Sequence, residues 1–139
     1  KGKEVLIPTQ TFIATANAVV RAGGKPIFCD IDPKTGCIDF NDVKKKINKN
    51  TAGVIFVYMF GIIPESAIKI KKLCKKKNIF LLEDASHAHG GAIDKYIVGS
   101  IGDAACFSFY ATKILTCGEG GLITTNNYNF YDRLLYLRY

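Results

Sequence analysis

An α/β fold on a mostly parallel sheet is the class this sequence predicts, on three observations. Short apolar runs rich in β-branched residues alternate with stretches of helical periodicity, the order that crossover units produce. One run, Ala52–Tyr58, is almost wholly apolar, as strands covered on both faces are. Gly23-Gly24 and Pro64-Glu65-Ser66 stand where helices are respectively stopped and opened. The 139 residues suffice for a domain with a real core, since a chain of about 150 residues buries roughly 70% of its unfolded surface.

Taken in order, Val5–Ile7 is a short strand and Ala14–Ala22 a helix ended by Gly23-Gly24. Lys25–Cys29 is a second strand. Asp30 to Gly36 (Asp-Ile-Asp-Pro-Lys-Thr-Gly) has the outline of a calcium loop, but the later ligand positions fail and its terminal Glu would fall at Asn41, so it reads as a turn. Asn41–Asn48 is a short helix with Val43 and Ile47 on one face. The strand Ala52–Tyr58 follows, then a helix from Pro64-Glu65-Ser66 through Lys77 with Ala67, Ile70, Leu73 and Cys74 as its core stripe. Its acidic start and lysine-rich end suit the helix dipole. Ile79–Leu82, Ala104–Phe109 and Gly121–Thr125 are further strands, and Asn129–Tyr139 is an amphipathic helix. The sequence has no internal repeat, low-complexity tract or linker.

A hydrophobic content of 48% with 22% charged residues is that of an ordinary globular domain. No apolar run approaches the roughly 18 residues that span a bilayer, so no membrane partner is expected. The net charge of +7 comes largely from lysines at 44–46 and 69–77. These fall on helical patterns whose other face is apolar, and no aromatics interleave with them, so they read as solvated faces and not as a nucleic-acid platform. The five cysteines are odd in number and form no CxxC pair. Cys29, Cys74 and Cys106 fall in apolar segments and read as small core residues, which fits a reducing cytoplasmic setting. The chain begins at Lys1, without Met, and stops inside a helical pattern, so both ends read as cut.

In open α/β sheets, ligands gather outside the carboxyl ends of the strands. Asp84 follows the strand Ile79–Leu82 at such an end, Ser108 closes another, Lys113 lies a few residues beyond it, and Thr11 and Phe12 follow the first strand. A carboxylate, a hydroxyl and a lysine in a glycine-bounded loop can together serve pyridoxal phosphate chemistry. Lys113 has Phe107, Phe109, Ile114 and Leu115 for sequence neighbours, a setting in which desolvation would favour the neutral, nucleophilic amine. A Walker A loop is excluded, because its lysine must follow a glycine directly and precede Ser or Thr. Glu83 alternates to the other side of its strand and receives no role. His87-Ala88-His89 has a spacing seen in metal sites, but no third ligand stands at a suggestive distance, and no metal is expected. Gly118, Gly120 and Gly121 could cradle a phosphate, but a tight turn before the next strand suffices to explain them.

With these motifs in order, the chain resembles the central part of the large domain of the DegT/StrS-type sugar aminotransferases, fold type I pyridoxal phosphate enzymes. The resemblance rests on residues 7 to 17 (Ile-Pro-Thr-Gln-Thr-Phe-Ile-Ala-Thr-Ala-Asn), Phe28 to Asp32, Glu83 to Gly90, Val98 to Asp103, Ser108 to Lys113 and Gly118 to Gly121. It implies a three-layer aspartate-aminotransferase-like fold, incomplete here. Residues 1–139 would form part of the large domain, with an N-terminal segment and a C-terminal small domain lying outside them. Lys113 matches the Schiff-base lysine and Asp84 the partner of the pyridine nitrogen. Ser108 matches the hydroxyl that bonds the cofactor phosphate, Phe12 the aromatic stacked on the ring, and His87 a position contacting the ring hydroxyl. Ala111 stands where the family often has Pro, and Ile114-Leu115 where Asn-Leu is common.

The resemblance further implies amino transfer from an amino acid, L-glutamate foremost, to a nucleotide-diphosphate keto sugar through an internal aldimine at Lys113. It also implies a cytoplasmic homodimer serving polysaccharide biosynthesis, with the 139 residues alone inactive. Two readings share the cofactor: a sugar dehydratase, whose relatives carry His in place of the lysine, and a regulatory member without turnover. A flavodoxin-like nucleotide-binding module would explain the alternating pattern but gives Lys113 no purpose.

Overall fold

The computed structural model describes residues 2–138. Its elements run β1 (Glu4–Pro8), α1 (Ile13–Arg21), β2 (Lys25–Cys29), α2 (Phe40–Lys46), β3 (Thr51–Val57), a 3₁₀ turn (Met59–Gly61), α3 (Ser66–Lys77), β4 (Phe80–Asp84), β5 (Ala92–Ile93), β6 (Tyr96–Ile97), β7 (Ala104–Ser108), β8 (Gly121–Thr124) and α4 (Tyr128–Leu137). Six strands form one sheet in the order β2-β1-β3-β4-β7-β8, parallel except for antiparallel β8. The expected helix end at Tyr139 lies outside the described residues.

The strand order explains the layers. The chain steps outward from β1 to β2 and then crosses back to β3, so right-handed crossovers put α1 on one face and α2 and α3 on the other. Leu6, Ile7, Val54 and Phe56 are buried in the centre of the sheet, and Val43 of α2 and Ile70 and Cys74 of α3 close over one side. Burial pushes the thiols of Cys29 and Cys74 up to about 12, so both are inert core groups. Local chemistry sets the ends. Asp39 accepts from the Asp42 N–H at 2.8 Å as the N-cap of α2, and Asn78 stops α3 in the left-handed conformation. On edge strand β2, the Lys46 ammonium covers the Phe28 carbonyl at 2.8 Å while pairing with Asp42.

Several expectations change. Strand β4 extends through Asp84, so the residue expected beyond the strand is its last member. A small antiparallel hairpin, β5–β6, occupies a stretch in which no element was expected. Cys106, expected in the core, is exposed, because strand alternation turns its side chain toward the uncovered face. Strand β8 and helix α4 contain no buried residue.

Candidate functional site

A cleft of about 720 Å³ opens on the α1 side of the sheet, at the carboxyl ends of β1, β3, β4 and β7. The reversal of strand order between β1 and β3 makes this the topological switch point of the sheet. Lys113, Asp84, Ser108, His87 and Phe12 all line this one cleft. Adjacency that was only inferred along the sequence is therefore present in space.

Each residue arrives by a local device. Asp84 is held as the last residue of β4, paired with Val57 on one side and Cys106 on the other. Its carboxylate accepts from the Ser86 N–H at 3.1 Å, turning the chain just after the strand. Ser108 ends β7, and its hydroxyl accepts from the Tyr110 N–H at 3.3 Å. The loop that carries Lys113 closes on itself: Lys113 N–H donates to the Tyr110 carbonyl at 2.9 Å, Cys117 N–H to the Phe109 carbonyl at 3.0 Å, and Phe109 N–H to the Gly120 carbonyl at 2.9 Å. Gly118 supplies the left-handed turn before β8 with φ of 85°. Phe12 precedes α1 in extended conformation, with its ring 76% exposed at the edge of the cleft.

The central contact joins Lys113 Nζ to His87 Nε2 at 2.9 Å. A lysine ammonium can only donate, so His87 accepts through Nε2 and carries any ring proton on Nδ1. Desolvation, followed by the positive charge of Lys113, holds the His87 imidazole below its ordinary 6.5. The apolar neighbours read from the sequence do not make this setting. Ile114 and Leu115 are 77% and 57% exposed, so the partner of the amine is His87 and not a hydrophobic wall. Gly61 presses on the backbone beneath this histidine: with φ of 78°, a Cβ there would lie 2.6 Å from the His87 carbonyl oxygen.

Glu83, given no role by sequence reasoning, is 1% exposed and accepts four hydrogen bonds. Its signal was an acidic residue inside an otherwise apolar strand, since a buried carboxylate must be paired or fully hydrogen-bonded. His89 is packed against the rings of Phe107 and Phe109, apart from the lysine. No group of three or more metal-ligating side chains occurs among the described residues.

The donor set and the shape fit pyridoxal phosphate. An amine, a carboxylate at the end of a buried strand, a free hydroxyl donor and an exposed aromatic ring face a cleft of cofactor size.

The profile described as the DegT/DnrJ/EryC1/StrS aminotransferase family matches residues 1–139. GDP-perosamine synthase of Escherichia coli O157:H7 is 38% identical over 99% of this chain and 38% of its own length. PseC of Helicobacter pylori, an aminotransferase involved in the biosynthesis of pseudoaminic acid, superposes with a TM-score of 0.93 at 34% identity, over 98% of this chain and 36% of that one. DesI, solved with its TDP-sugar product, gives 0.89 at 38% identity, over 98% and 34%. The chain thus spans little more than a third of the relatives it matches.

Proposed function

Because the chain belongs to the DegT/DnrJ/EryC1/StrS aminotransferase family, we propose that the protein containing it moves an amino group from an amino acid, L-glutamate foremost, to a nucleotide-diphosphate keto sugar, with pyridoxal phosphate seated in this cleft. The observation that carries the reading is the convergence of Lys113, Asp84, Ser108, His87 and Phe12 on one cleft, with Lys113 bonded to His87. The relatives named above, a GDP-perosamine synthase, an aminotransferase of pseudoaminic acid biosynthesis and a protein solved with its TDP-sugar product, support the substrate class.

Pyridoxal phosphate, when bound, supplies an aldehyde that links to an amine and a ring that accepts electrons from the adjoining carbon. The residues do the rest. Lys113 holds the cofactor between turnovers and then, as a free amine, takes a proton from the amino donor's carbon and returns one, acting as general base and acid. The His87 imidazole beside it is held below its ordinary value, first by desolvation and then by the charge of Lys113. Asp84 would keep a proton on the ring nitrogen, Ser108 would donate to the phosphate, and Phe12 would cover the ring face. Residues beyond this chain, including those of a second subunit, would complete the sugar site, and the setting is cytoplasmic. Lys113 favours amino transfer over the dehydratase reading, whose relatives carry His there. The flavodoxin-like reading leaves the convergence on Lys113 without a purpose.

The test is a visible absorption spectrum of the full-length protein with pyridoxal phosphate, before and after glutamate. A band that bleaches with glutamate and is absent in Lys113→Ala supports the reading. A band that never bleaches points to another donor or to a regulatory member, and no band in the folded protein refutes it.

A further inference from the structure

Glu83 is the only carboxylate buried among the described residues, and the proposed chemistry does not use it. Its surroundings contain donors alone. Oε2 accepts from the Tyr58 hydroxyl at 2.7 Å and the Gly99 N–H at 3.1 Å, and Oε1 from the Ile101 and Gly102 N–H groups at 2.8 and 2.7 Å. An ionised carboxylate, an acceptor only, satisfies all four. Burial first, and then the charge of Glu83, push the Tyr58 hydroxyl above its ordinary range, so it stays a donor.

One of these partners, Tyr58, reaches back to the site, and the others hold the turn against the sheet. Tyr58 follows β3 and lines the cleft, and its N–H donates to the Asp84 carbonyl at 3.1 Å. One tyrosine thus holds the carboxylate of residue 83 and the backbone of residue 84. The turn from Gly99 to Gly102 is pressed against the sheet where only glycine fits: a Cβ on Gly102 would lie 2.5 Å from the Leu81 carbonyl oxygen, and one on Gly99, at φ 96°, would lie 2.7 Å from the Phe107 ring. The Asp103 N–H donates to the Leu81 carbonyl, and Asp103 Oδ2 accepts from the Leu81 N–H, both at 2.8 Å. Successive side chains on a strand face opposite ways. Fixing Glu83 on the α3 side therefore fixes the rotation with which Asp84 faces the cleft.

We propose that Glu83 is a positioning residue for the cofactor site, clamping the carboxyl end of β4 through Tyr58 and the 99–102 turn so that the Asp84 carboxylate is aimed into the cleft. This rests on the reading of the cleft as a pyridoxal phosphate site. Replacement by glutamine keeps the size but offers one acceptor oxygen and one NH₂ donor to four donors, leaving those on the NH₂ side unpaired.

The experiment uses the full-length protein, with pyridoxal phosphate as the probe. Glu83→Gln and wild type are compared by cofactor Kd and by the circular dichroism induced in the bound cofactor, which reports ring orientation independently of turnover. The expected result is a Kd raised about tenfold, with an altered induced band. A Glu83→Gln protein that melts earlier yet binds with the wild-type Kd and band would overturn the proposal, leaving Glu83 a stability residue. If Glu83→Gln does not fold, Tyr58→Phe, which removes one of the four donors, decides: a weaker shift of the same kind supports the clamp, and wild-type behaviour overturns it. A folded wild type that binds no pyridoxal phosphate overturns the function and the inference together, whereas unchanged binding in both variants overturns the inference alone.

Discussion

Gly61→Ala tests how the turn after β3 supports the site from beneath. Two costs combine there. The residue has φ of 78°, a left-handed conformation that costs an L-residue about 1–2 kcal/mol. A Cβ would also lie 2.6 Å from the His87 carbonyl oxygen, and relieving such overpacking costs about 1–3 kcal/mol. Gly90→Ala is the matched control, because its φ is 71° but nothing lies within 4 Å of where a Cβ would sit. Urea unfolding of the full-length protein should therefore show about 1–2 kcal/mol lost for Gly90→Ala and about 2–5 kcal/mol for Gly61→Ala. Because the obstacle is the backbone of His87, only Gly61→Ala should also weaken binding of pyridoxal phosphate. Equal losses in the two variants, or a Gly61→Ala protein that binds cofactor as wild type does, would refute the reasoning.

Other outcomes follow from single contacts. The His87 resonance, followed by NMR in the cofactor-free protein, should titrate below 6.5 and move upward in Lys113→Met, which removes a neighbouring positive charge; a midpoint at or above 6.5 in the wild type contradicts the assigned pairing. Since the folded state binds this proton less readily than the unfolded chain, the His87 contribution to stability is fully present above 6.5 and is lost as pH falls through the lowered folded value. Asp39→Ala removes the N-cap of α2 and should cost about 1 kcal/mol in denaturant unfolding, whereas Asp39→Ser should recover most of it. Ile70, fully buried on α3, should cost about 2–5 kcal/mol when cut to Ala, with no effect on cofactor Kd because it lies on the face away from the cleft.

Most of the sheet and its helices are legible in the sequence because their patterns are local. β2 has the expected bounds, and β1, β3, β7, β8, α1 and α3 differ from expectation by two residues or fewer at either end. Strand β4 begins one residue later than expected and ends two residues later. It runs on through Glu83 and Asp84 because both charged residues find partners at their own faces: a buried donor cage for one and a turn N–H for the other. The β5–β6 hairpin escaped notice because two-residue strands carry too few residues to show a period.

By itself the sequence determined the layered α/β class, through the alternation of apolar strands and amphipathic helices, and named the five residues of the candidate site at the carboxyl ends of its strands. Tertiary structure decided what lies beside each of them. That His87 and not a hydrophobic wall receives the Lys113 amine, that Cys106 faces the cleft, and that Glu83 is a buried anchor are all set by contacts between strands and loops distant in sequence. Periodicity reports only which face a side chain takes; which donor meets it there depends on strand order, register and the turns that close over the sheet.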